Sequence, residues 1–364
     1  MPTTITPQIV NLNTTVVFAP EPSQLQQSGA LVSIGGTSLT SGTYSYCGNL
    51  AAATALIGAA GNFAELTAQA TTFFAQGQSV GLYLLELGVE SAVGDNIPVL
   101  NTWITDNPGI FYDFLLPESW DGVSGTPLGT MLANYESPNA QVNFVVTTTV
   151  TTFAQYATNK AVTMVVKSPN AALTESQSAA VFYNELVNNP SASNQLAPLA
   201  WRYLYGVTPW PSYGQGTPIN TILSAYGNVI LTGVQGGISN ATLFKGTVAS
   251  GAPFSEWYGL NWFQINAAQQ LAAAVMNGSN SQPPLLYGQH GINILQGIAQ
   301  SVANNAVTFG CAQSVTVSAV PFAQYIAQNP TNYAAGIYTG LSASFVGQTG
   351  FLSLDFNIDA VQFA

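Results

Sequence analysis

The residues able to do chemistry in this chain are few and scattered. One histidine, His290, stands in Tyr287-Gly288-Gln289-His290-Gly291, with no Asp or Glu within 30 residues on either side. A histidine acts as a metal ligand or general base through neighbours that orient it. At the expected start of a helix, His290 reads instead as a capping or core-edge residue. Asp355-Phe356-Asn357-Ile358-Asp359 copies the first half of a calcium loop. Ala360 replaces the required Gly, however, and no bidentate Glu follows. Gly35-Gly36-Thr37 is not followed by Gly-Lys-Ser/Thr, so it is not a P-loop, and no Gly-x-Ser-x-Gly elbow occurs. The one constellation of substance is a set of tryptophans, Trp103, Trp120, Trp201, Trp210, Trp257 and Trp262, beside the acids Glu118, Asp121 and Glu256. Aromatic rings stack on sugars and two carboxylates cleave glycosidic bonds, so a carbohydrate-binding or glycan-degrading protein is one reading. Core and interface packing is the other use of Trp. The chain is expected to carry no catalytic residues, no metal and no cofactor.

The shortage of chemistry is part of a wider shortage of charge. Charged residues make up 5% of 364, against about 25% in ordinary soluble domains. The basic residues are Lys160, Lys167, Arg202 and Lys245, and the net charge is -11. Residues 257–354, 98 in a row, carry no Asp, Glu, Lys or Arg. So few scattered bases exclude a nucleic-acid surface. Disorder is excluded by a hydrophobic content of 47%. No apolar run is long enough to predict a membrane span. Met1-Pro2-Thr3-Thr4 shows no basic region leading an apolar one, which predicts folding in a cytoplasm. Cys47 and Cys311 fit no disulfide framework and are expected reduced. A polar but uncharged surface loses less on desolvation than an ionic one, so it suits extensive contact with other copies of the same chain. Adaptation of a monomer to an unusual medium is the alternative.

The elements follow from periodicity. Residues 29–34, 80–87, 110–116, 142–150 and 161–166 are short apolar runs that predict buried strands, and 228–234 and 241–248 predict two more. Helices are expected over 62–76, with Asn62 as N-cap and Gly77 as stop, and over 175–188, begun by Thr174-Glu175. The order strand, helix, strand predicts an α/β layer. Residues 208–218 read as loop. Long helices are expected near 259–277 and 291–308 around Pro283-Pro284, followed by strands at 313–319 and 336–346. Both ends of the chain read as strands. Val10, Leu12, Val16 and Phe18 share one face of an uncharged N-terminal arm. Leu352, Leu354, Phe356 and Ile358 alternate with Ser353, Asp355, Asn357 and Asp359 at the C-terminus. Terminal strands can pair within their own subunit or add to a neighbour's sheet, and the pattern alone leaves both open.

The succession of segments resembles contractile tail sheath proteins of bacteriophages, in particular a compact branch of that family. The uncharged arm leads into Ala30-Leu31-Val32-Ser33-Ile34-Gly35-Gly36. Leu56-Ile57-Gly58, the helix over 64–75 and the strand over 80–87 follow. Phe111-Tyr112-Asp113-Phe114-Leu115-Leu116-Pro117 resembles the family's next core strand, and Gly206-Val207-Thr208-Pro209 a turn found there. Trp257-Tyr258-Gly259-Leu260-Asn261-Trp262 sits where sheath proteins start a long helix with an Asp-Trp-Leu-like sequence. Here Asn261-Trp262-Phe263 has lost the acid. Gly336-Ile337-Tyr338-Thr339-Gly340 leads to the terminal strand ending Val361-Gln362-Phe363.

The resemblance implies an α/β (α+β) fold with an N-terminal arm over 1–24 and an outer or middle α/β domain over 25–245, with an insertion near 120–240. An inner C-terminal core over 246–346 and a C-terminal arm strand over 347–364 complete it. It implies a structural subunit, not an enzyme, whose arms pair with neighbouring subunits. Hexameric rings would stack helically around a tail tube and contract, without nucleotide, to drive the tube through a host envelope. The implied partners are the chain itself, a tail tube protein, and baseplate and tail terminator proteins, with no nucleic acid and no membrane span. The implied location is the virion tail, assembled in the host bacterial cytoplasm. A tail tube or baseplate protein and a surface-layer protein are the other assembly readings.

Overall fold

The computed structural model describes residues 24–211, 214–232 and 239–353. At its centre is a six-stranded sheet. Its strands are β1 (Gly29–Ser33), β2 (Tyr44–Cys47), β3 (Leu82–Glu86), β4 (Asp113–Leu115), β5 (Asn143–Thr148) and β6 (Val162–Val166), in the order β2-β3-β1-β4-β5-β6. All neighbours are parallel except the edge pair β2 and β3. The predicted strand runs lack alternation because parallel strands are covered on both faces. Every residue of β1, β4, β5 and β6 is buried.

Helices fill the crossovers. After α1 (Leu50–Leu56), α2 (Phe63–Gln76) joins β2 to β3 and lies between β1 and its parallel neighbour β3 in the chain, completing the expected strand–helix–strand unit. Asn62 does not cap α2. Its Oδ1 accepts from Ile34 N at 3.0 Å and its Nδ2 donates to Val32 O at 3.2 Å, which ties the helix start to β1. The helices α3 (Ile97–Asp106) and α4 (Pro127–Leu132) were not legible in the sequence pattern. α5 (Gln177–Leu186) is buried along its whole length. Ser176 caps α5, in place of Thr174-Glu175, because Glu175 is taken by the Thr208 N–H and hydroxyl, each at 2.9 Å.

The far edge of the sheet is covered. Val166 N donates to Asn228 O, Asn228 N to Met164 O and Ala249 N to Val162 O, at 2.8–3.0 Å. This satisfies the β6 edge with irregular chain, which prevents pairing with another sheet. The predicted loop over 208–218 ends early, since α6 (Gly216–Ser224) begins inside it. A small antiparallel pair, β7 (Val229–Thr232) and β8 (Ala241–Phe244), follows.

The last third is built on α7 (Phe254–Ser279) and α8 (Gln289–Thr308), both longer than the periodicity predicts. They pack on each other and carry a second antiparallel sheet of β9 (Ala312–Ala319) and β10 (Leu341–Gly347). Short helices α9 (Phe322–Gln328) and α10 (Pro330–Ala334) lie between these strands. The expected strand over 336–346 therefore starts five residues late, because residues 336–340 form the connection from α10.

Gly259 is where α7 meets the start of β9. A Cβ there would stand 2.1 Å from the Cys311 carbonyl oxygen, and backbone yields less readily than side chain. Gly259→Ala is expected to cost at least roughly 1–3 kcal/mol, read as a lower urea midpoint with an unchanged slope. An unchanged midpoint would contradict this packing. Cys47 and Cys311 are both buried and unpaired.

Candidate assembly surface

α7 is about 39 Å long at 1.5 Å per residue and has two unlike halves. Its first half docks on the large sheet. Asn261 Nδ2 donates to Tyr112 Oη at 3.1 Å, Gln26 Nε2 to Tyr258 O at 3.0 Å and Tyr258 Oη to Asn188 O at 3.0 Å. Trp257, Trp262, Phe263 and Ile265 are buried there. Beyond Asn266 the helix has no buried residue, although Leu271, Val275 and Met276 are apolar. With Leu286, Tyr287 and Tyr338 they line an open groove of about 630 Å³. Met276 is 67% and Leu286 71% exposed. An exposed apolar surface of this kind marks an interaction site.

The β9/β10 sheet lies on these helices with alternating faces. Val315 and Val317 of β9 point inward and are buried, while Ser314, Thr316 and Ser318 are exposed. In β10, Leu341 lines the helix groove and Phe345 meets Phe263 with ring centroids 6.0 Å apart. Yet Leu341 and Phe345 are only half-buried and Ala343 is exposed. Among the described residues the cover over the helices stops at β10.

The two edges of this sheet are treated differently. On the β9 side, Val317 N donates to Gln300 Oε1 at 3.4 Å, and Gln296 Nε2 donates to Val317 O at 3.5 Å. Two α8 glutamines thus occupy the outward groups of β9. Those contacts also fix the hydrogen-bond phase. Val317 turns its backbone groups away from β10, so its partner Ala343 turns its own away from β9. The phase agrees at the strand start, where Val320 N donates to Gly340 O at 2.9 Å. Leu341, Ala343 and Phe345 therefore present their N–H and C=O groups along the outer side of β10, and no described residue pairs with them as a strand. Isolated two-stranded sheets are marginal in water, and an unpaired edge is a template for a further strand.

The first and last described segments meet the start of α7. Gln26 binds Tyr258 O, Ser255 Oγ donates to Gln348 O at 2.9 Å, and a Cβ on Gly350 would touch Pro198. Phe351, Leu352 and Ser353 lie outside any strand, with Phe351 86% exposed. Of the predicted linking residues, Leu352 is exposed. Val10, Leu12, Val16, Phe18, Leu354, Phe356 and Ile358 lie outside the described residues, as does the sequence over 355–359 that resembles a calcium loop. The edge residues of β10 and the glutamines of α8 were missed by sequence reasoning. The alternation of 336–346 gave the strand but not which of its sides would be unpaired.

The sugar-site constellation does not assemble. Trp103, Trp120, Trp210, Trp257 and Trp262 are all buried, and Trp201 stacks edge-on against Phe244. Glu118 is bound by Lys167 Nζ at 2.9 and 3.0 Å. Asp121 accepts from Thr148, Thr152, Gln155 and Tyr156. Glu256 lies on the first turn of α7. Apart from Trp201 and Glu256, these residues are spent on packing or local hydrogen bonding. His290 is exposed in the first turn of α8, and that helix start has no side-chain cap, so the expected capping or core-edge role is not seen. No described helix is long and apolar enough to cross a membrane.

No protein-family model matches the chain, and no curated protein matches it by sequence. Solved structures do. A chain of the anti-feeding prophage baseplate superposes with a TM-score of 0.64 at 14% identity, covering 96% of this chain and 98% of that one. The anti-feeding prophage helical sheath in the contracted state gives 0.61 at 12% identity, over 96% and 100%. The sheath tail protein from Listeria innocua gives 0.54 at 9% identity, over 80% and 88%. The chain shares the fold of contractile tail sheath proteins.

Proposed function

We propose that this chain is the structural subunit of a contractile tail sheath, and that it polymerises by adding a terminal strand of one copy to the open edge of β10 in another. The observation that carries the reading is that edge: outward backbone groups at Leu341, Ala343 and Phe345, beside helices left uncovered where the next strand would lie. Its support from outside the chain is the shared fold, which in one solved case is that of a helical sheath. The arms supply matching strands. Val10, Leu12, Val16 and Phe18 could cover the helices while the backbone pairs with β10, and residues 1–20 bring no charge to an uncharged surface. Leu352, Leu354, Phe356 and Ile358 offer a second strand of the same kind.

On this reading residues 246–346 form an inner core around a tail tube and 25–245 an outer α/β domain. The arms 1–24 and 347–364 link hexameric rings stacked helically. Contraction is a rigid-body rearrangement from one set of subunit interfaces to a more stable one, with the arms as hinges, and requires no nucleotide. The subunit works in the tail of a virion assembled in a bacterial cytoplasm, against tube, baseplate and terminator proteins.

A peptide of residues 8–18 tests the strand-addition step. In excess it is expected to occupy the β10 edge and keep the full chain from pelleting in sedimentation. A scrambled peptide of the same composition leaves the pellet unchanged. Equal pelleting with both peptides would rule out residues 8–18 as the added strand.

A further inference from the structure

The centre of the large sheet holds two carboxyl groups with no base beside them. Asp113 opens β4 and Glu185 lies on α5, at 0% and 1% exposure. Asn143, on β5 between them, donates from one amide nitrogen to Asp113 Oδ1 at 3.1 Å and to Glu185 Oε2 at 2.9 Å. The second oxygen of each acid, Asp113 Oδ2 and Glu185 Oε1, is buried with no donor at hydrogen-bond geometry, and the Thr163 hydroxyl beside Glu185 is likewise unpartnered. Two ionised carboxylates could not sit this close in a dry core without a cation. The two unpartnered oxygens are accounted for if one acid keeps its proton and donates it to the other.

We infer that Asp113 and Glu185 share a single proton, and that this proton clamps α5 to the sheet and through α5 supports the seat of α7. The clamp reaches α7 by short steps. Asn188, just past the end of α5, accepts Tyr258 Oη through its carbonyl, and Tyr112, next to Asp113, accepts Asn261 Nδ2. The surroundings offer no counter-charge. β5 contributes Asn143 and β6 the Thr163 hydroxyl, both neutral. Tyr112 and Tyr258 are phenols that burial pushes far up and so keeps neutral. Arg202 is turned elsewhere, with Nε on Pro198 O at 3.1 Å and Nη2 3.5 Å from Asn188 Oδ1. Burial first, and the Asp113 charge second, hold Glu185 well above the usual carboxylate range. Burial also raises Asp113.

The consequence is a proton-linked stability. The unfolded chain gives up this proton near its ordinary carboxyl pKa of about 4, whereas the native pair keeps it. Stability is therefore full below that range and falls as pH rises, by up to about tenfold in the folding constant per pH unit, until the native pair releases its proton to solvent. Glu65, in the first turn of α2, is pushed up to about 7 by burial and blurs the lower part of this window. Thiols in the unfolded chain are half-ionised near about pH 8.5 and add to the slope from about a unit below. The pair's own part is therefore read between about pH 7 and 8 as the difference from a chain that lacks the pair.

Two measurements on the full chain test the proton. Infrared difference spectroscopy at about pH 8 is expected to show a protonated carboxylic C=O stretch that disappears on unfolding. Urea unfolding is expected to lose up to about tenfold in the folding constant between about pH 7 and 8. In Glu185→Gln, whose amide can donate to an ionised Asp113, the acid stretch vanishes and the pH slope falls to the part that Glu65 and the unfolded thiols supply. A wild-type spectrum without an acid stretch at about pH 8 overturns the proposal, whether or not the variant folds. So does an acid stretch or a pH slope that persists unchanged in a folded Glu185→Gln chain.

Discussion

Ala343→Pro is expected to abolish polymerisation while leaving the subunit folded. The backbone N–H of Ala343 faces away from β9, so proline removes no hydrogen bond within the subunit. Its side chain is exposed, so the ring meets no packed neighbour. Proline is tolerated on an edge strand when its missing N–H faces outward. An incoming strand, however, loses a ladder bond, leaving its own carbonyl unpaired, and meets the ring, a cost of about 1–3 kcal/mol per junction. That is roughly a 5- to 150-fold rise in the concentration at which polymers form, and it recurs at every subunit. Ser342→Pro is the matching control. Ser342 lies in the hydrogen-bonded pair with Ser318, so its loss breaks the β9/β10 ladder and lowers the melting temperature. Circular dichroism and sedimentation separate the two. If Ala343→Pro pellets as the unaltered chain does, the β10 edge is not the acceptor.

Removal of residues 1–18 is the second change with a large expected effect. The described chain begins at Gln24, Leu25 packs against the core and Gln26 bonds Tyr258 O, so the deletion leaves those anchors intact. Folded, non-polymerising subunits are expected, with unfolding midpoints within experimental error of the full chain. The C-terminal counterpart has to be cut after Ser353. Gln348 accepts a hydrogen bond from Ser255, and Gly350 rests against Pro198, so a cut at 347 would also unseat the start of α7. Tubes formed by a chain lacking residues 1–18 would show that its arm does not do the joining.

The two deletions and the proline act on different partners of one bond. A mixture of Ala343→Pro and the 1–18 deletion can form only junctions between an intact arm and an intact edge. Each deletion subunit has an edge but no N-terminal arm, and each proline subunit an N-terminal arm but no edge. Short complexes that do not propagate are therefore expected.

How much of this was legible in the sequence depended on the kind of contact involved. β1, β3, β5 and β6 were readable because strands covered on both faces leave unbroken apolar runs. α2 and α5 were readable because one face, or all of it, is apolar. α3 and α4 were not. They begin at Pro98 and Pro127 near their first turns, and a proline in an irregular stretch looks the same whether it starts a helix or ends one. The expected cap at Asn62 failed because its side chain found a better partner in β1, a tertiary contact that no local pattern encodes. The candidate site was half legible. The alternation of 313–319 and 336–346 predicted the strands. Which edge stays open is decided by Gln296 and Gln300 reaching over from α8, across a separation of 17–21 residues. The acid pair was hidden for the same reason. Asp113 and Glu185 are 72 positions apart in sequence and are brought together under one Asn143 amide.

The scarcity of charge also takes on a sharper meaning. The charge-free run of 98 residues covers nearly all of α7, α8, β9 and β10. It ends just beyond the last described residue. Within it lie the open edge and the apolar groove, and its polar groups are amides and hydroxyls that can be buried against a like surface without stranding an ion.

The most direct test is negative-stain imaging of the purified full-length chain beside Ala343→Pro at the same concentration. Striated hollow tubes from the unaltered chain, and single subunits from the proline variant, are the predicted result. Monodisperse single subunits from both, or tubes from both, would contradict assembly through the edge of β10.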